Sequence, residues 1–226
     1  MVVRWYGQSA FLLEGSKTVL LDPFGAVGER LASRGIEFRY PPIAGVTADL
    51  VLATHEHVDH DAVEVAGDAA AVIRSTAGTL DSPVGEVVAI ASEHDDVAGT
   101  MRGPNTIFCF SLDGLRICHM GDFGQSALRP EQRQAIGEVD VLFVPIGGGP
   151  TIGASAAAEL VRSIDPRLVI PMHYRTEAVS FLDPPDAFLD AVGAQVVRPD
   201  ASEAELEDVL GSNEAPVVLL LAPPLA

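Results

Sequence analysis

Six residues constrain this chain more than any others: His55-Glu56-His57-Val58-Asp59-His60, the pattern H-x-H-x-D-H. The apolar stretch before them, Leu50-Val51-Leu52-Ala53-Thr54, reads as a buried β-strand. Extended backbone sends alternate side chains the same way, so His55 and His57 can close on one ion. Where the chain turns after the strand, Asp59 and His60 can swing toward a second. Imidazole with carboxylate suits zinc, manganese, iron or nickel, and the absence of thiolates argues against a structural zinc finger. The plain alternative is a solvated cluster of surface charge. Three histidines and an aspartate directly behind a buried strand point instead to metal.

The run alone supplies too few ligands. Three later segments can complete it: Ser92-Glu93-His94-Asp95-Asp96 after a strand-like run, His119-Met120-Gly121-Asp122, and Val169-Ile170-Pro171-Met172-His173-Tyr174. Each offers His94, Asp122 or His173 at the C-terminal end of a hydrophobic stretch, where a layered fold carries its functional loops. Five of the six histidines in the chain then belong to one site, and His119 is left over. His119 lies three residues before Asp122, and an odd offset in extended backbone places it on the other face, so it is expected outside the ligand set.

In this order and spacing the chain resembles the metallo-β-lactamase superfamily, from Asp22 after the strand Thr18-Val19-Leu20-Leu21 to His173. A narrower likeness, to the small metal-dependent hydrolases related to ascorbate-6-phosphate lactonase, rests on four segments. They are Trp5-Tyr6-Gly7-Gln8-Ser9, Arg102-Gly103-Pro104-Asn105-Thr106, Pro145-Ile146-Gly147-Gly148-Gly149 and Ile170-Pro171-Met172-His173-Tyr174. The resemblance implies an α/β chain folded as an αββα sandwich, two mixed β-sheets flanked by helices, in a single domain over residues 1–226. It implies two divalent ions, zinc or manganese first, with nickel or iron also compatible. By the same resemblance His55, His57 and His94 hold one ion, Asp59, His60 and His173 the other, and Asp122 bridges them. Two such ions share a hydroxide that attacks a carbonyl or phosphoryl centre. Asp59 and Asp122 are then the catalytic carboxylates, with Asp59 orienting the nucleophile and protonating the leaving group. Asp22 corresponds to an early aspartate that braces the histidine run from behind.

Composition narrows the partners. The chain has 226 residues, 48% of them hydrophobic, with 14 Lys and Arg against 32 Asp and Glu for a net charge of −18. Polyanion binders need basic patches, so no nucleic-acid partner is expected. Anionic membranes repel such a surface, and no apolar run approaches the roughly 20 residues of a membrane span. With no signal-peptide pattern at Met1-Val2-Val3-Arg4-Trp5-Tyr6, a soluble cytoplasmic protein acting on a small-molecule substrate is expected, self-association being left open. A small anionic substrate remains compatible, because divalent cations dominate the local field.

The pattern further predicts strands near 2–6, 10–14, 18–21, 70–75, 86–91, 140–145, 168–172 and 217–222, and a long loop over 24–47 with a helical turn near 29–34. Helices are expected near 61–66, 130–137 and 155–164. Another should be entered at Pro184-Pro185 under an Asp183 cap, and a last one opened by the capping box Ser202-Glu203-Ala204-Glu205. Asp113-Gly114 should turn a hairpin between 106–112 and 115–119. A two-residue turn there sets Cys109 opposite Cys118, read as two reduced thiols. Arg102, Tyr174 and Arg175 flank ligand segments and are the candidates for substrate contacts, and Gly147-Gly148-Gly149 for a close backbone approach. Two other readings stay open: a non-haem iron oxidoreductase resembling the dioxygenases, and a metal-stabilised binding protein without turnover.

Overall fold

The computed structural model describes residues 1–68, 70–211 and 216–224. The chain opens with β1 (Val2–Gly7), β2 (Ala10–Glu14) and β3 (Thr18–Leu21), makes a short helix α1 (Gly28–Ala32), and enters β4 (Leu50–Ala53). After a 3-10 turn over Val63–Ala66 come β5 (Ala71–Arg74), β6 (Gly78–Ser82), β7 (Gly85–Glu93), β8 (Pro104–Leu112) and β9 (Leu115–His119). The second half runs α2 (Pro130–Ile136), β10 (Val141–Pro145), α3 (Ala154–Ile164), β11 (Leu168–Met172) and α4 (Asp186–Val192). It finishes with β12 (Gln195–Val197), β13 (Glu203–Glu205), α5 (Leu206–Leu210) and β14 (Val217–Leu219).

These strands form two mixed sheets, ordered β13-β1-β2-β3-β4-β5 and β12-β14-β11-β10-β9-β8-β7-β6. The sheets face each other across an apolar core in which Phe11 of β2 meets Phe143 of β10, ring centroids 4.7 Å apart. β4, β10 and β11 are buried along their whole length and pair in parallel, so they read as continuous apolar runs. Helix α3 turns Ala157, Ala158, Leu160, Val161 and Ile164 inward, the spacing of one helical face. The result is the expected αββα sandwich. Among the described residues no helix is long and apolar enough to cross a membrane.

Strand direction decides where the site falls. β3 runs parallel to β4, and β9 to β10 and β11. β1 lies one antiparallel neighbour from β2 and thus runs with β3, and β7 is related to β9 through β8 in the same way. The C-terminal ends of the site-bearing strands in each sheet therefore share one edge, where open α/β sheets bind ligands.

Several local expectations change. Ser202-Glu203-Ala204-Glu205 does not open a helix: β1 offers a free edge, Val2 pairs with Glu205, and Arg4 bonds Glu203 at 2.8 Å, so α5 begins only at Leu206. Asp183 caps nothing, because its backbone is engaged by Gly147 and Arg175, and Pro185 sits at the N-cap of α4. The helix expected at 61–66 is the single 3-10 turn. β6, β12 and β13 are short strands defined by their partners. The Asp113-Gly114 hairpin forms with both residues at positive φ, 50° and 81°, and sets Cys109 opposite Cys118, both buried free thiols.

The 24–47 segment is anchored. Phe24, Leu31, Phe38, Tyr40 and Ile43 form a small cluster with Val179 and Leu182, and the Tyr40 hydroxyl bonds Thr176 Oγ1 at 2.7 Å. It thereby buttresses the loop that follows His173.

Candidate metal centre

His55 is held from behind. Thr54 Oγ1 donates to Asp22 Oδ2 at 2.8 Å and so accepts from His55 Nδ1 at 3.0 Å, which leaves His55 Nε2 free. His60 Nδ1 donates to the same Asp22 Oδ2 at 3.1 Å, and the Thr54 amide to Asp22 Oδ1 at 2.7 Å. His94 Nδ1 donates to the Pro150 carbonyl at 3.0 Å. In each case the outer nitrogen is bonded and Nε2 faces inward, the arrangement usual behind metal-binding imidazoles.

The inward atoms converge. His55 Nε2 lies 3.0 Å from His57 Nδ1, and these two with His94 form one group whose ligand atoms are all within 4.8 Å. His55, His60 and Asp122 form a second such group. Asp122 Oδ2 sits 3.2 Å from His94 Nε2, 3.4 Å from His60 Nε2 and 3.3 Å from His173 Nε2. Two ligands each about 2.0–2.1 Å from one ion stand about 2.9–3.4 Å apart at right to tetrahedral angles. Every one of these contacts fits that spacing. His60 Nε2, wholly buried and with no hydrogen-bond partner among the described residues, fits a cation still better. Asp59, with its side chain 20% exposed, reaches to 3.7 Å from His60 Nε2 at the mouth of the cluster.

Asp122 is itself clamped: Ser9 Oγ donates to its Oδ1 at 3.2 Å, and its amide donates to Asn105 Oδ1 at 3.0 Å. Ser9, Thr54, Asn105 and Pro150 had no assigned role in the sequence reading. Their signal was position, each lying at the same edge as a ligand segment.

Electrostatics follow from burial among like and unlike groups. Desolvation, then the neighbouring His60, pushes the His55 imidazole well below its ordinary range. Desolvation and the facing His94 lower His57. Burial alone would strip His60 of its proton, but Asp122 and Asp59 outweigh it and hold the imidazolium well above the ordinary value. Burial likewise opposes the Asp122 carboxylate, yet His173 and His60 keep it ionised far below the usual range.

Backbone strain gathers at the same edge. Asp22 and His173 sit at φ 42° and 51°, a region that costs non-glycine residues about 1–2 kcal/mol. Such strain concentrates at functional sites. Gly147 shows why glycine follows β10: a Cβ there would meet the His173 carbonyl at 2.2 Å.

His119 is not among the convergent groups found among the described residues. Its Nδ1 accepts from the Gly121 amide at 3.1 Å, so Nε2 donates to the Ser9 carbonyl at 3.0 Å. It nevertheless points into the sandwich, 4.0 Å from Asp22 Oδ2, because Gly121 at φ 56° bends the chain and breaks the alternation.

The substrate candidates divide. Tyr174 is corrected: 4% exposed and stacked on Trp5 at 5.3 Å, its ring belongs to the core. Arg175 turns its Nε to the Leu182 carbonyl at 2.6 Å and braces its own loop. The amides of Gly147 and Gly148 are already bonded to His173 and Ile152 carbonyls, which removes them as a substrate cradle. Arg102 stays exposed, in a loop ordered by Asp95, whose carboxylate accepts the amides of Val97, Gly99, Met101 and Arg102.

An αββα frame with imidazoles and carboxylates gathered at its strand ends defines the metallo-β-lactamase class. The chain belongs to the beta-lactamase superfamily domain family, whose model matches residues 2–173. It is 35% identical to a metal-dependent hydrolase from Thermococcus kodakarensis, covering 86% of this chain and 94% of that one. A structure from Thermotoga maritima, described as a Zn-dependent hydrolase of the metallo-beta-lactamase superfamily, superposes with TM-score 0.76 at 31% identity, over 97% of this chain and 98% of the other. A diiron β-hydroxylase from Streptomyces venezuelae shares the fold alone, at 16% identity and TM-score 0.53, over 76% of this chain and 44% of that one.

Proposed function

We propose that this metal-dependent hydrolase cleaves an ester, lactone or phosphoester bond of a small substrate, anionic ones included, at a site built for two divalent ions. The observation that carries the reading is Asp122 Oδ2, placed 3.2–3.4 Å from three imidazoles that arrive from three different strand ends. His55, His57 and His94 would hold one ion, Asp59, His60 and His173 the other, with Asp122 between them. Zinc or manganese suits this nitrogen and oxygen set best. Ions so held supply Lewis acidity and bring the pKa of water toward about 7.

The protein's own groups do the rest. Asp122, bonded by Ser9 and Asn105, keeps one orientation and serves as the fixed anchor. Asp59, partly exposed and 3.7 Å from His60 Nε2, would orient the attacking water and pass its proton to the leaving group. Arg102, exposed in the loop that Asp95 orders after His94, would supply a cation for a substrate carboxylate or phosphate.

The test pairs metal analysis of carefully prepared protein with a panel of lactones, phosphodiesters, thioesters and β-lactams, run on the zinc and manganese forms. About two metals per chain and turnover of one bond class are expected. One metal or none under replete conditions would overturn the dinuclear reading. An iron optical spectrum with oxygen consumption would replace hydrolysis with the oxidoreductase reading, and metal without turnover would leave a binding protein.

A further inference from the structure

Of the buried imidazoles around Asp122, His173 differs in one respect. His55, His60 and His94 each have Nδ1 bonded to Thr54, Asp22 or Pro150, whereas His173 Nδ1 is buried with no partner among the described residues. A second buried orphan belongs to the residue that accepts the His173 amide: Gln8 Oε1, also without a partner among the described residues. The two residues are joined directly, since the His173 amide donates to the Gln8 carbonyl at 3.3 Å, and the Trp5 indole donates to that same carbonyl at 3.0 Å. Both backbones are strained, Gln8 at φ 48° and His173 at φ 51°, and Gln8 is 1% exposed.

Leaving such groups unpaired is costly, and buried polar groups almost always find a partner. The chemistry of the pair is complementary. With Nε2 turned to Asp122, Nδ1 carries the proton and is a donor, while Gln8 Oε1 is an acceptor. One water accepting from Nδ1–H and donating to Oε1 would satisfy both, as buried waters do for otherwise unpaired polar groups.

We propose that Gln8 is a positioning residue that fixes the His173 ring and tautomer through a single buried water. It would do for His173 what Asp22, Thr54 and Pro150 do for the other imidazoles. The neighbouring Ser9 already holds Asp122, so the β1–β2 turn then supports two of the proposed ligands at once. This inference rests on the reading of His173 as a ligand.

The test uses the full chain with zinc. In competitive zinc titration Gln8→Leu should weaken one of two zinc ions about 10–100-fold and leave the other unchanged. Gln8→Glu, which keeps an acceptor, should restore binding. In 15N-histidine spectra of the zinc form, the His173 Nδ1–H should be protected from exchange in the parent and in Gln8→Glu, and unprotected in Gln8→Leu. Should Gln8→Leu fail to fold, Gln8→Met carries the same expectations with the arm length retained. Parent-like zinc binding and proton protection in the apolar variant would overturn the role of Gln8, as would equal weakening of both ions. His173→Ala separates the two levels: if it still binds two zinc ions, the ligand reading fails and this inference with it. If it binds one while the apolar Gln8 variant matches the parent, only the Gln8 inference fails.

Discussion

Gly121→Ala probes how tightly the sandwich is built around its proposed ligands. Gly121 has φ 56°, and a Cβ there would meet Asn105 Oδ1 at 2.4 Å and Thr54 Cβ and Oγ1 at 2.7 Å each. Neither neighbour can retreat cheaply. Thr54 is locked between Asp22 and His55, and Asn105 between Asp122, Ser92 and the Met120 carbonyl. The left-handed backbone costs alanine about 1–2 kcal/mol, and overpacking about 1–3 kcal/mol. The lower entropy of unfolded alanine returns about 0.4–1 kcal/mol. The balance is a loss of about 1–5 kcal/mol, which for a domain of this size lowers Tm by about 2–20 °C. Because Thr54 and Asn105 are displaced together, zinc affinity should also fall. Thermal unfolding of the metal-free variant reads the first effect and competitive zinc titration the second. A Tm within about a degree of the parent, with parent-like zinc affinity, would refute the reasoning.

Asp59→Asn should reduce turnover on a verified substrate about 10²–10⁴-fold with the fold intact by circular dichroism, and near-parent turnover would remove Asp59 from the proton path. His119→Ala should keep the parent's zinc stoichiometry while costing about 2–4 kcal/mol in denaturant unfolding, since it leaves a cavity and strips the Gly121 amide and Ser9 carbonyl of partners; loss of a zinc ion would make it a ligand. Metal loading should strengthen as pH rises above the ordinary histidine range. His60 has its pKa raised despite desolvation, by Asp122 and Asp59, so its proton competes with metal below that raised value and leaves above it. In the metal-free protein the same proton stabilises the fold at low pH and its contribution is lost as pH rises through the folded pKa. Zinc-induced Tm shifts that do not grow with pH would contradict this.

The hexapeptide, the strand before it and the later His94, Asp122 and His173 were legible because local sequence carried them. Apolar runs identify strands, and polar residues at their ends mark a functional edge whatever the details of packing. The hairpin register, and with it the Cys109–Cys118 pairing, followed from two turn residues alone. Tertiary structure decided what depended on partners distant in the chain. Glu203–Glu205 became a strand because β1 had an open edge, overriding a local capping pattern. Tyr174 left the substrate set because Trp5 offered its ring a buried stacking partner. His119 faced inward because Gly121 broke the alternation that its spacing implied. The supports behind the proposed ligands, Thr54, Ser9, Asn105 and Pro150, received no role from the sequence, since a hydrogen bond needs only one polar atom at the right place. Ligand identity is thus written in residue type and local spacing. Orientation of the proposed ligands depends in part on contacts across more than a hundred residues of chain, as between Ser9 and Asp122, and those exist only once the two sheets have closed.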